Sequence, residues 1–203
     1  MKIGCVLLAA GEGSRLGKVP KALMRLNGRP LIHHHIEALA NLNINDIVVV
    51  TGHYADRIED SIKELSVKVV RNNNPQAEQG SSVRLGIETL GADYDLVLMM
   101  LSDQPLINDQ DIQEIITTYQ ADTTRQIILP MVNRTRGNPT AFTGKTIQKI
   151  LDIKGMVCRK YMDDHPEEIF LYETQNKHFV TDIDRIEDIE AINQDSMMRI
   201  ELP

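Results

Sequence analysis

The stretch "IGCVLLAAGEGSRLGKVPKAL", Ile3–Leu23, joins a short apolar run to a long glycine-rich loop. The apolar run Ile3–Ala9 predicts a β-strand that is buried on both faces. No helical pattern follows the strand until Pro30, so the connecting loop is unusually long. A buried strand that ends in such a loop is typical of the first unit of an open parallel sheet, where ligands bind beyond the strand ends.

The spacing of the glycines separates this loop from the two commonest phosphate-binding loops. Gly11, Gly13 and Gly17 follow the pattern G-x-G-x-x-x-G, one residue longer than the dinucleotide fingerprint, and no Gly-Lys-Ser/Thr is present as in a P-loop. The backbone N–H groups still suit a nest for phosphate oxygens, with Arg15 and Lys21 as the cations. The alternative is a tight turn with solvated basic side chains.

Outward from this loop, apolar strands alternate with amphipathic helices as far as residue 132. The sequence predicts strands at 3–9, 46–52, 67–72, 95–103 and 126–132, and helices at 30–42, 55–65, 81–90 and 108–120. Ser81 is the expected N-cap of the third helix. This alternation specifies a mostly parallel sheet with helices on both faces.

The alternation weakens after residue 132. The segment 133–144 is rich in turn residues, helices are predicted at 145–151, 155–165 and 185–194, and strands at 168–174 and 177–184. We expect these two strands to run antiparallel to the rest or to each other. No linker separates this part, so the prediction is one domain, 1–203, with a three-layer α/β/α Rossmann-like fold and a late antiparallel addition.

Composition excludes several classes of protein. Aromatic residues make up 4% of the chain and the net charge is −7, which disfavour a nucleic-acid-binding surface. The two cysteines give no disulfide framework. The apolar run at the N-terminus is too short for a membrane span, and it lacks a signal-peptide cleavage region. A cytoplasmic enzyme that contacts neither nucleic acid nor membrane is therefore expected.

Carboxylates leave other strands at the same predicted edge of the sheet. Asp103 follows the strand 95–103, and Asp182 and Asp184 follow the late strand, where alternate residues point to one face. Mg²⁺ prefers oxygen ligands and takes one or two carboxylates beside substrate phosphates. Asp103 and one of the other two therefore form a candidate magnesium site, and the remaining aspartate would cap the last helix. The alternative role of Asp103 is to cap a turn with Pro105.

These pieces together resemble the nucleotidyltransferases of the MobA/MocA type, within the nucleotide-diphospho-sugar transferase superfamily. The matching segments are "LLAAGEGSRLGKVPKAL", "GRPLIHH", "NPQAEQGSSVRLGI", "LSDQP", "RGNPTAF" and "TDIDRIEDI". The resemblance implies an enzyme that joins the nucleoside monophosphate part of an NTP to a phosphate-bearing acceptor and releases pyrophosphate. The motif "DTPED" of related proteins reads "DRIED" here, without the usual Thr-Pro.

The resemblance also implies a role for each candidate residue. The implied catalytic residues are Arg15, Lys21 and Asp103, and the implied Mg²⁺ ligands are Asp103 with Asp184 or Asp182. The implied nucleotide-binding residues are Leu8, Ala9, Ala10, Gly11, Gly13, Ser14, Arg15, Lys21, Gly80, Ser81 and Ser82. Asp184 is favoured as the metal ligand because it occupies the place of the acid in the related motif.

Two segments bear on the substrates. "LLAAG" and "QGSSVRLGI" are similar to cytidylyltransferase segments, which favours CTP over GTP, with Gly80 and Ser82 at the cytosine; helix capping is the alternative role of the serines. "RGNPTAF" resembles the acceptor segment of molybdenum cofactor cytidylyltransferases, which implies Gly137, Asn138 and Pro139 as acceptor-binding residues and transient contact with cofactor-receiving enzymes. Asn138 replaces the usual histidine there.

Several alternatives remain open from the sequence. The acceptor is molybdenum cofactor or a sugar, polyol or choline phosphate, and a guanylyltransferase of the MobA type is a related alternative. A regulatory module that binds a nucleotide without turnover is a different class. An NAD-binding protein would need an acid after the second strand, where the chain reads "VVVTGHY". The run His33–His35 is expected to be structural, because adjacent helical positions point about 100° apart.

Overall fold

The computed structural model describes residues 1–74, 79–195 and 198–203 as a mixed α/β fold with an eight-stranded main sheet. Its strands are β1 (Ile3–Ala9), β4 (Asp46–Thr51), β5 (Lys68–Arg71), β6 (Leu96–Leu101), β7 (Ile127–Val132), β8 (Thr135–Arg136), β9 (Thr140–Thr143) and β10 (Ile169–Glu173). A small sheet holds β2 (Arg25–Leu26), β3 (Arg29–Pro30) and β11 (Ile200–Glu201). The helices are α1 (Leu31–Asn41), α2 (Ala55–Ile62), α3 (Gln79–Leu90), α4 (Asp109–Ala121), α5 (Gly144–Asp152), α6 (Cys158–Asp164) and α7 (Ile186–Asp195).

The central strand β1 divides the core into two apolar layers. It lies between β4 and β6 and runs parallel to both. Leu7 points to the face covered by α1, α2 and α4, whereas its neighbour Val6 points to the face covered by α3, α5 and α6. Both side chains are fully buried, as expected for a strand that packs against helices on both sides. The three-layer, mostly parallel fold expected from the sequence is confirmed.

The antiparallel strand lies in a different place from the one expected. The segment predicted as turn-rich contains β9, which inserts between β6 and β7 and runs antiparallel to both. All four residues of β9 are buried. The pattern "TAFT" is too short to reveal a strand by periodicity, and its burial by two neighbouring strands exists only in the folded sheet.

Two further expectations for the C-terminal part were wrong. β10 pairs with β7 in parallel, with Ile169 opposite Ile127, and is not antiparallel. The segment 177–184 is not a strand, because Lys177–Val180 forms a 3-10 turn and 181–184 belongs to no strand. Phe179 is fully buried within that turn, so its alternation of polar and apolar residues reflects packing and not sheet pairing.

A third apolar cluster fastens the C-terminal helix to the first loop. It joins Leu16 and Met24 to residues of the last helix and of the segment before it, including Ile183 and Ile189. Ile183 and Met24 are fully buried. This cluster brings the segment around Ile183 against the glycine-rich loop, although the two are far apart in the sequence.

Gly86 allows α3 to lie close against the sheet, and we predict that Gly86→Ala destabilises the fold. The added methyl would clash with Cγ1 of Val6 and lie 3.0 Å from Cγ2 of Val50. Overpacking costs about 1–3 kcal/mol, which outweighs the gain of about 1 kcal/mol from replacing a helical glycine. Urea unfolding should show a lower midpoint. Gly11→Ala is the control, because a methyl there meets no atom within 4 Å; equal losses in both variants would contradict the close-packing argument.

Candidate active site

The loop after β1 folds back on itself around Gly13. Gly13 has a left-handed backbone with φ of 63°, and its carbonyl oxygen accepts hydrogen bonds from the N–H groups of Leu16 and Lys18, each at 3.0 Å. A side chain at Gly13 would clash with the carbonyl oxygen of Val19. Only glycine fits this position, since the backbone angle and the close approach both exclude a Cβ.

The first loop offers mainly its backbone to a ligand. Leu8 is half-buried, Ala9 and Ala10 are buried, and Gly11 and Ser14 are exposed. The small residues leave the backbone at Gly11 open to solvent beyond the end of the central strand. Such an arrangement suits an extended anionic ligand that is held by main-chain N–H groups and flanking cations.

The Lys21 ammonium links carboxylates from two distant segments. Its Nζ donates to Oδ2 of Asp103 at 3.0 Å and to Oδ1 of Asp184 at 2.6 Å. Arg15 donates from Nη1 to the other oxygen of Asp184 at 2.8 Å. The Lys21 side chain is 16% exposed and that of Asp103 is 23% exposed, so this ion pair is partly shielded from water, whereas Arg15 is 67% exposed. The four predicted residues therefore lie in one charged cluster.

Ile183 fixes the position of the two aspartates beside it. Its backbone N–H donates to the carbonyl oxygen of Asp103 at 3.0 Å, and its side chain is fully buried. Since alternate side chains of an extended segment point the same way, Asp182 and Asp184 both face away from the core. Both carboxylates thus lie on the side of Asp103.

The pKa shifts show a concentration of negative charge at this edge. Partial desolvation raises the pKa of the Asp182 carboxyl, and the nearby carboxylates of Asp103 and Asp184 raise it further. The hydrogen bond from Lys21 instead lowers the pKa of Asp184, with help from Arg15. For Lys21, burial alone would lower the pKa, but the two carboxylates outweigh it and raise the pKa of the ammonium.

The last helix is capped by Asp188 and not by one of the two candidate aspartates. Oδ2 of Asp188 accepts from the backbone N–H groups of Asp184 at 2.8 Å and Arg185 at 2.7 Å. The expectation that the spare aspartate caps this helix was therefore wrong. The sequence pattern did not show that an acid within the helix turns back to the preceding backbone.

Asn72 connects the end of β5 to the first turn of α3. Its Nδ2 group donates to the hydroxyl oxygens of Ser81 and Ser82, both at 2.9 Å. An amide NH₂ group carries two protons, so it satisfies both contacts. Because each serine oxygen already accepts from Asn72, each hydroxyl proton is directed elsewhere. Ser82 is buried, whereas Ser81 is half-buried and lies closer to solvent.

The start of α3 differs from the sequence prediction. The helix begins at Gln79, so Ser81 lies within its first turn and is not the N-cap. Gly80 is half-buried in the same turn, where an added Cβ would lie 3.3 Å from Cγ1 of Val157. Part of the family-like segment, 75–78, lies outside the described residues.

The candidate acceptor segment reaches the same edge of the sheet through Phe179. The carbonyl oxygen of Phe179 accepts from the backbone N–H of Asn138 at 2.8 Å and from Nε2 of Gln104 at 3.0 Å. Gly137 and Pro139 are buried, and Asn138 is half-buried. Asn138 is therefore the member of this trio whose side chain is available to a ligand, while the other two shape the backbone.

The three adjacent histidines point to different neighbours. Nε2 of His33 lies 2.9 Å from the Ser61 hydroxyl oxygen, and Nε2 of His34 lies 3.0 Å from the Leu26 carbonyl oxygen. His35 is buried, and burial lowers its pKa to about 4. These contacts agree with the structural role expected for the run.

One other group of side chains has the spacing of metal ligands. Among the described residues, His165, Glu167 and Glu168 are the group whose ligand atoms all lie within 4.8 Å of one another. Glu168 already accepts from Lys149 at 2.6 Å and from the Tyr161 hydroxyl at 3.1 Å. Its two oxygens therefore have protein partners, and the group is explained as an ion-paired surface cluster.

Comparison with known proteins identifies the family. The MobA-like NTP transferase domain matches residues 5–169. The chain belongs to the MobA-like NTP transferase family. The family resemblance drawn from the motifs is thus confirmed, and nucleotidyl transfer is the class of chemistry to which this site must be fitted.

Individual relatives and structures agree with this membership. The chain is 34% identical over 131 residues to the bifunctional protein GlmU of Mycobacterium marinum, an alignment that covers 61% of this chain and 27% of that relative. The chain thus spans about a quarter of the length of this curated relative.

Two solved structures share the fold. A nucleotidyl transferase from Methanothermobacter thermautotroptrophicus has a TM-score of 0.76 at 23% identity, covering 95% of this chain and 96% of that one. A CMP:2-keto-3-deoxy-manno-octonic acid synthetase complexed with CTP has a TM-score of 0.72 at 14% identity, covering 96% and 98%. At these identities the likeness shows the fold alone. No helix in the described part of this MobA-like chain has the length and apolar character needed to cross a membrane.

Sequence reasoning missed three residues that position parts of this MobA-like site. Asn72 orients the serines of α3, Gln104 ties the Asp103 segment to Phe179, and Asp188 holds the backbone at Asp184. Asn72 carried a usable signal, since a polar residue directly after the carboxyl end of a parallel strand lies at the ligand edge of the sheet. The other two had none, because their partners are distant in sequence or are backbone groups.

We predict that Lys21→Met lowers the free energy of unfolding by about 1–3 kcal/mol near neutral pH, between the values for exposed and buried ion pairs. The pKa of Asp184 is lowered in the folded state. The contribution of this carboxylate to the free energy of unfolding is therefore fully present above the ordinary carboxyl pKa of about 4, and it is lost as the pH falls through the lowered pKa of the folded state. Urea unfolding of wild type and variant should therefore differ most above about pH 4.

The control for this prediction is Lys63→Met, which removes the exposed ion pair with Asp60. An exposed pair contributes about 0–1 kcal/mol, so this variant should lose little stability. A Lys21 variant that loses no more than the control, or whose loss does not shrink in acid, would contradict the central role of this ammonium.

Proposed function

We propose that this protein is a Mg²⁺-dependent nucleotidyltransferase that joins the nucleoside monophosphate part of an NTP to a phosphate-bearing acceptor and releases pyrophosphate. The observation that carries the proposal is the convergence of Arg15, Lys21, Asp103 and Asp184 from three distant segments beside a glycine-rich loop. A protein that only bound a nucleotide would have no need of carboxylates next to the cations that hold phosphates.

The chemistry needs no nucleophilic side chain. An oxygen of the acceptor phosphate attacks the α-phosphorus in line, the bond from that phosphorus to the β-phosphate oxygen breaks, and pyrophosphate leaves with the electron pair. A phosphate monoester is largely doubly ionised at neutral pH, since its second pKa is about 6. No general base is required, and the protein acts by positioning the reactants and stabilising charge.

In this proposal the first loop and two cations bind the triphosphate. Backbone N–H groups near Gly11 and Gly13 contact phosphate oxygens, and Arg15 and Lys21 neutralise their charge. Arg15 offers a planar fork that matches two phosphate oxygens, while Lys21 acts as a point charge. The side chains that now pair with carboxylates would thus turn toward the substrate.

The carboxylates fit a magnesium ion by chemistry and placement. Asp103 and Asp184 already converge on one cationic atom, Nζ of Lys21, and Asp182 adds negative charge beside them. Asp103 and Asp184 would hold the ion, in competition with the Lys21 ammonium. When bound, Mg²⁺ supplies neutralisation of the phosphate charge that develops in the reaction.

CTP is the nucleotide that we propose. The Ser81 and Ser82 hydroxyl oxygens accept from Asn72, which leaves each hydroxyl proton available to another acceptor, and cytosine offers a carbonyl oxygen as that acceptor. The resemblance implied Ser82 at the cytosine, but Ser82 is buried, so the half-buried Ser81 is the more accessible donor of the two. The fold also holds CTP in a distant structure, but the preference here rests on these side chains and on the "LLAAG" segment.

The acceptor that we propose is molybdenum cofactor, giving a pterin dinucleotide in the cytoplasm for enzymes that receive the cofactor. The support is the position of Asn138 at the ligand edge and the resemblance of "RGNPTAF" to an acceptor segment. A sugar, polyol or choline phosphate is the second candidate. A screen of these acceptors with Mg²⁺ and CTP, read by pyrophosphate release, decides between them.

We predict that pyrophosphate release is fastest with CTP when the four NTPs are compared at equal concentration. Ser81→Ala should raise the KM for CTP about 5- to 10-fold, the effect of losing one hydrogen bond, with a smaller change for the other nucleotides. Thr117→Ala, on the exposed face of α4, is the control. A clear preference of the wild type for GTP would show that the assignment of the base is wrong.

We predict that Asp103→Asn lowers Mg²⁺-dependent turnover by about 100-fold or more, because the variant keeps the shape and loses the charge that holds the metal. The control is Asp60→Asn on the exposed surface of α2, which should keep wild-type turnover. Isothermal titration with CTP separates binding from turnover. Tight CTP binding by the wild type without turnover of any acceptor would favour the regulatory module.

A further inference from the structure

A cavity opens between the first loop and the start of the last helix. Its volume is about 390 Å³, and it is lined by Arg15, Arg185, Ile186 and Glu187. This volume lies within the range of about 300–1,000 Å³ that is typical of small-molecule sites. The cavity adjoins the charged cluster, because Arg15 lines the cavity and also pairs with Asp184.

The two arginines of the cavity differ in their present contacts. Arg15 is engaged by the Asp184 carboxylate at 2.8 Å. Among the described residues, the Arg185 side chain has no hydrogen-bond or ion-pair partner. Its backbone is nevertheless held, since its N–H donates to Asp188 at 2.7 Å. Within the part of the chain that the structure describes, Arg185 is thus an unpaired cation that lines a cavity, and its backbone is held in place by a hydrogen bond.

The neighbouring residues indicate what this cation would bind. Ile186 is 55% exposed and forms an apolar side of the cavity, while Glu187 places a carboxylate on its rim. An anion would therefore be confined to the side of the two arginines. A guanidinium binds two phosphate oxygens at once, and two such groups suit a ligand with adjacent phosphates.

We propose that Arg185, together with Arg15, binds the β- and γ-phosphates of the nucleotide and the pyrophosphate that they become. This inference rests on the proposed function, in which Arg15 holds the triphosphate. When the bond between the α-phosphorus and its bridging oxygen breaks, the electron pair and the added negative charge pass to pyrophosphate. Arg185 stabilises that charge on the leaving group.

The arrangement of the sheet favours the nucleotide over the acceptor as the ligand of this cavity. Arg15 follows β1, whereas the candidate acceptor residue Asn138 precedes β9, and β6 with Asp103 lies between these two strands. The cavity is therefore on the triphosphate side of the carboxylates. Arg185 and Ile186 also replace the Thr-Pro of the related motif, so this cation is a feature of this chain and not of that motif.

The inference is tested by the affinity for inorganic pyrophosphate, measured by isothermal titration in the presence of Mg²⁺. Arg185→Ala should weaken pyrophosphate binding about 10-fold, as expected for the loss of charge-assisted hydrogen bonds. Arg185→Lys should lose less, because it keeps the charge without the fork. Arg57→Ala is the matched control, since Arg57 is an exposed arginine on α2 whose side chain has no partner in the described part of the chain.

Steady-state kinetics give a second readout. With Arg185→Ala, the KM for CTP and the inhibition constant for pyrophosphate should both rise about 10-fold, while the KM for the acceptor stays within about 2-fold. Unchanged pyrophosphate affinity in the alanine variant, or a rise confined to the acceptor KM, would overturn the inference. If the wild type turned over no acceptor, the proposed function would fail, and the pyrophosphate titration would still decide the role of Arg185.

Discussion

The contact on which the rest of the site depends is the pair of ionic hydrogen bonds from Lys21 to Asp103 and Asp184. Three carboxylates at one edge of a sheet repel one another, and the raised pKa of Asp182, which partial desolvation and those neighbouring carboxylates produce, is a sign of that repulsion. A single ammonium among them offsets much of this cost. The phosphates of a ligand would compete with the carboxylates for this ammonium, and a metal ion would compete with the ammonium for the carboxylates. The charged contacts of the site are therefore responsive to ligands.

That contact is possible because apolar packing brings its partners together. Ile183 is buried against Leu16 and Met24, and its backbone is hydrogen-bonded to Asp103. Asp188 holds the backbone at Asp184 and Arg185. The charged groups themselves are partly exposed, so their attraction alone would be too weak to fix the C-terminal segment. The hydrophobic cluster supplies the stability, and the ion pairs set the geometry at its rim.

Hydrogen bonds of amide side chains position the other parts of the site. Asn72 leaves the end of β5 and fixes two serines of α3, so the hydroxyl groups are oriented before any ligand arrives. Gln104 and Asn138 meet at the carbonyl oxygen of Phe179, which ties the candidate acceptor segment to the segment that carries Asp103. In both places a buried amide side chain joins two separate segments of the chain. Preorganisation of this kind reduces the conformational entropy that a ligand must otherwise overcome.

The sequence by itself determined the alternation of strands and helices up to β7, the family motifs, and the types of residue that leave the strand ends. These are local properties, because periodicity and turn chemistry are encoded in neighbouring residues. It failed for β9, for the parallel direction of β10 and for the segment 177–184, where short patterns do not reveal which strand lies alongside.

The tertiary structure alone decided that Lys21 lies between two aspartates, that Asp188 and not Asp182 or Asp184 caps α7, and that Arg185 is an unpaired cation beside Arg15 among the described residues. The contacts of Lys21 join residues that are 82 positions apart, for Asp103, and 163 positions apart, for Asp184. Their formation depends on burial of side chains such as Ile183, and burial is a property of the whole packed chain and not of any one segment.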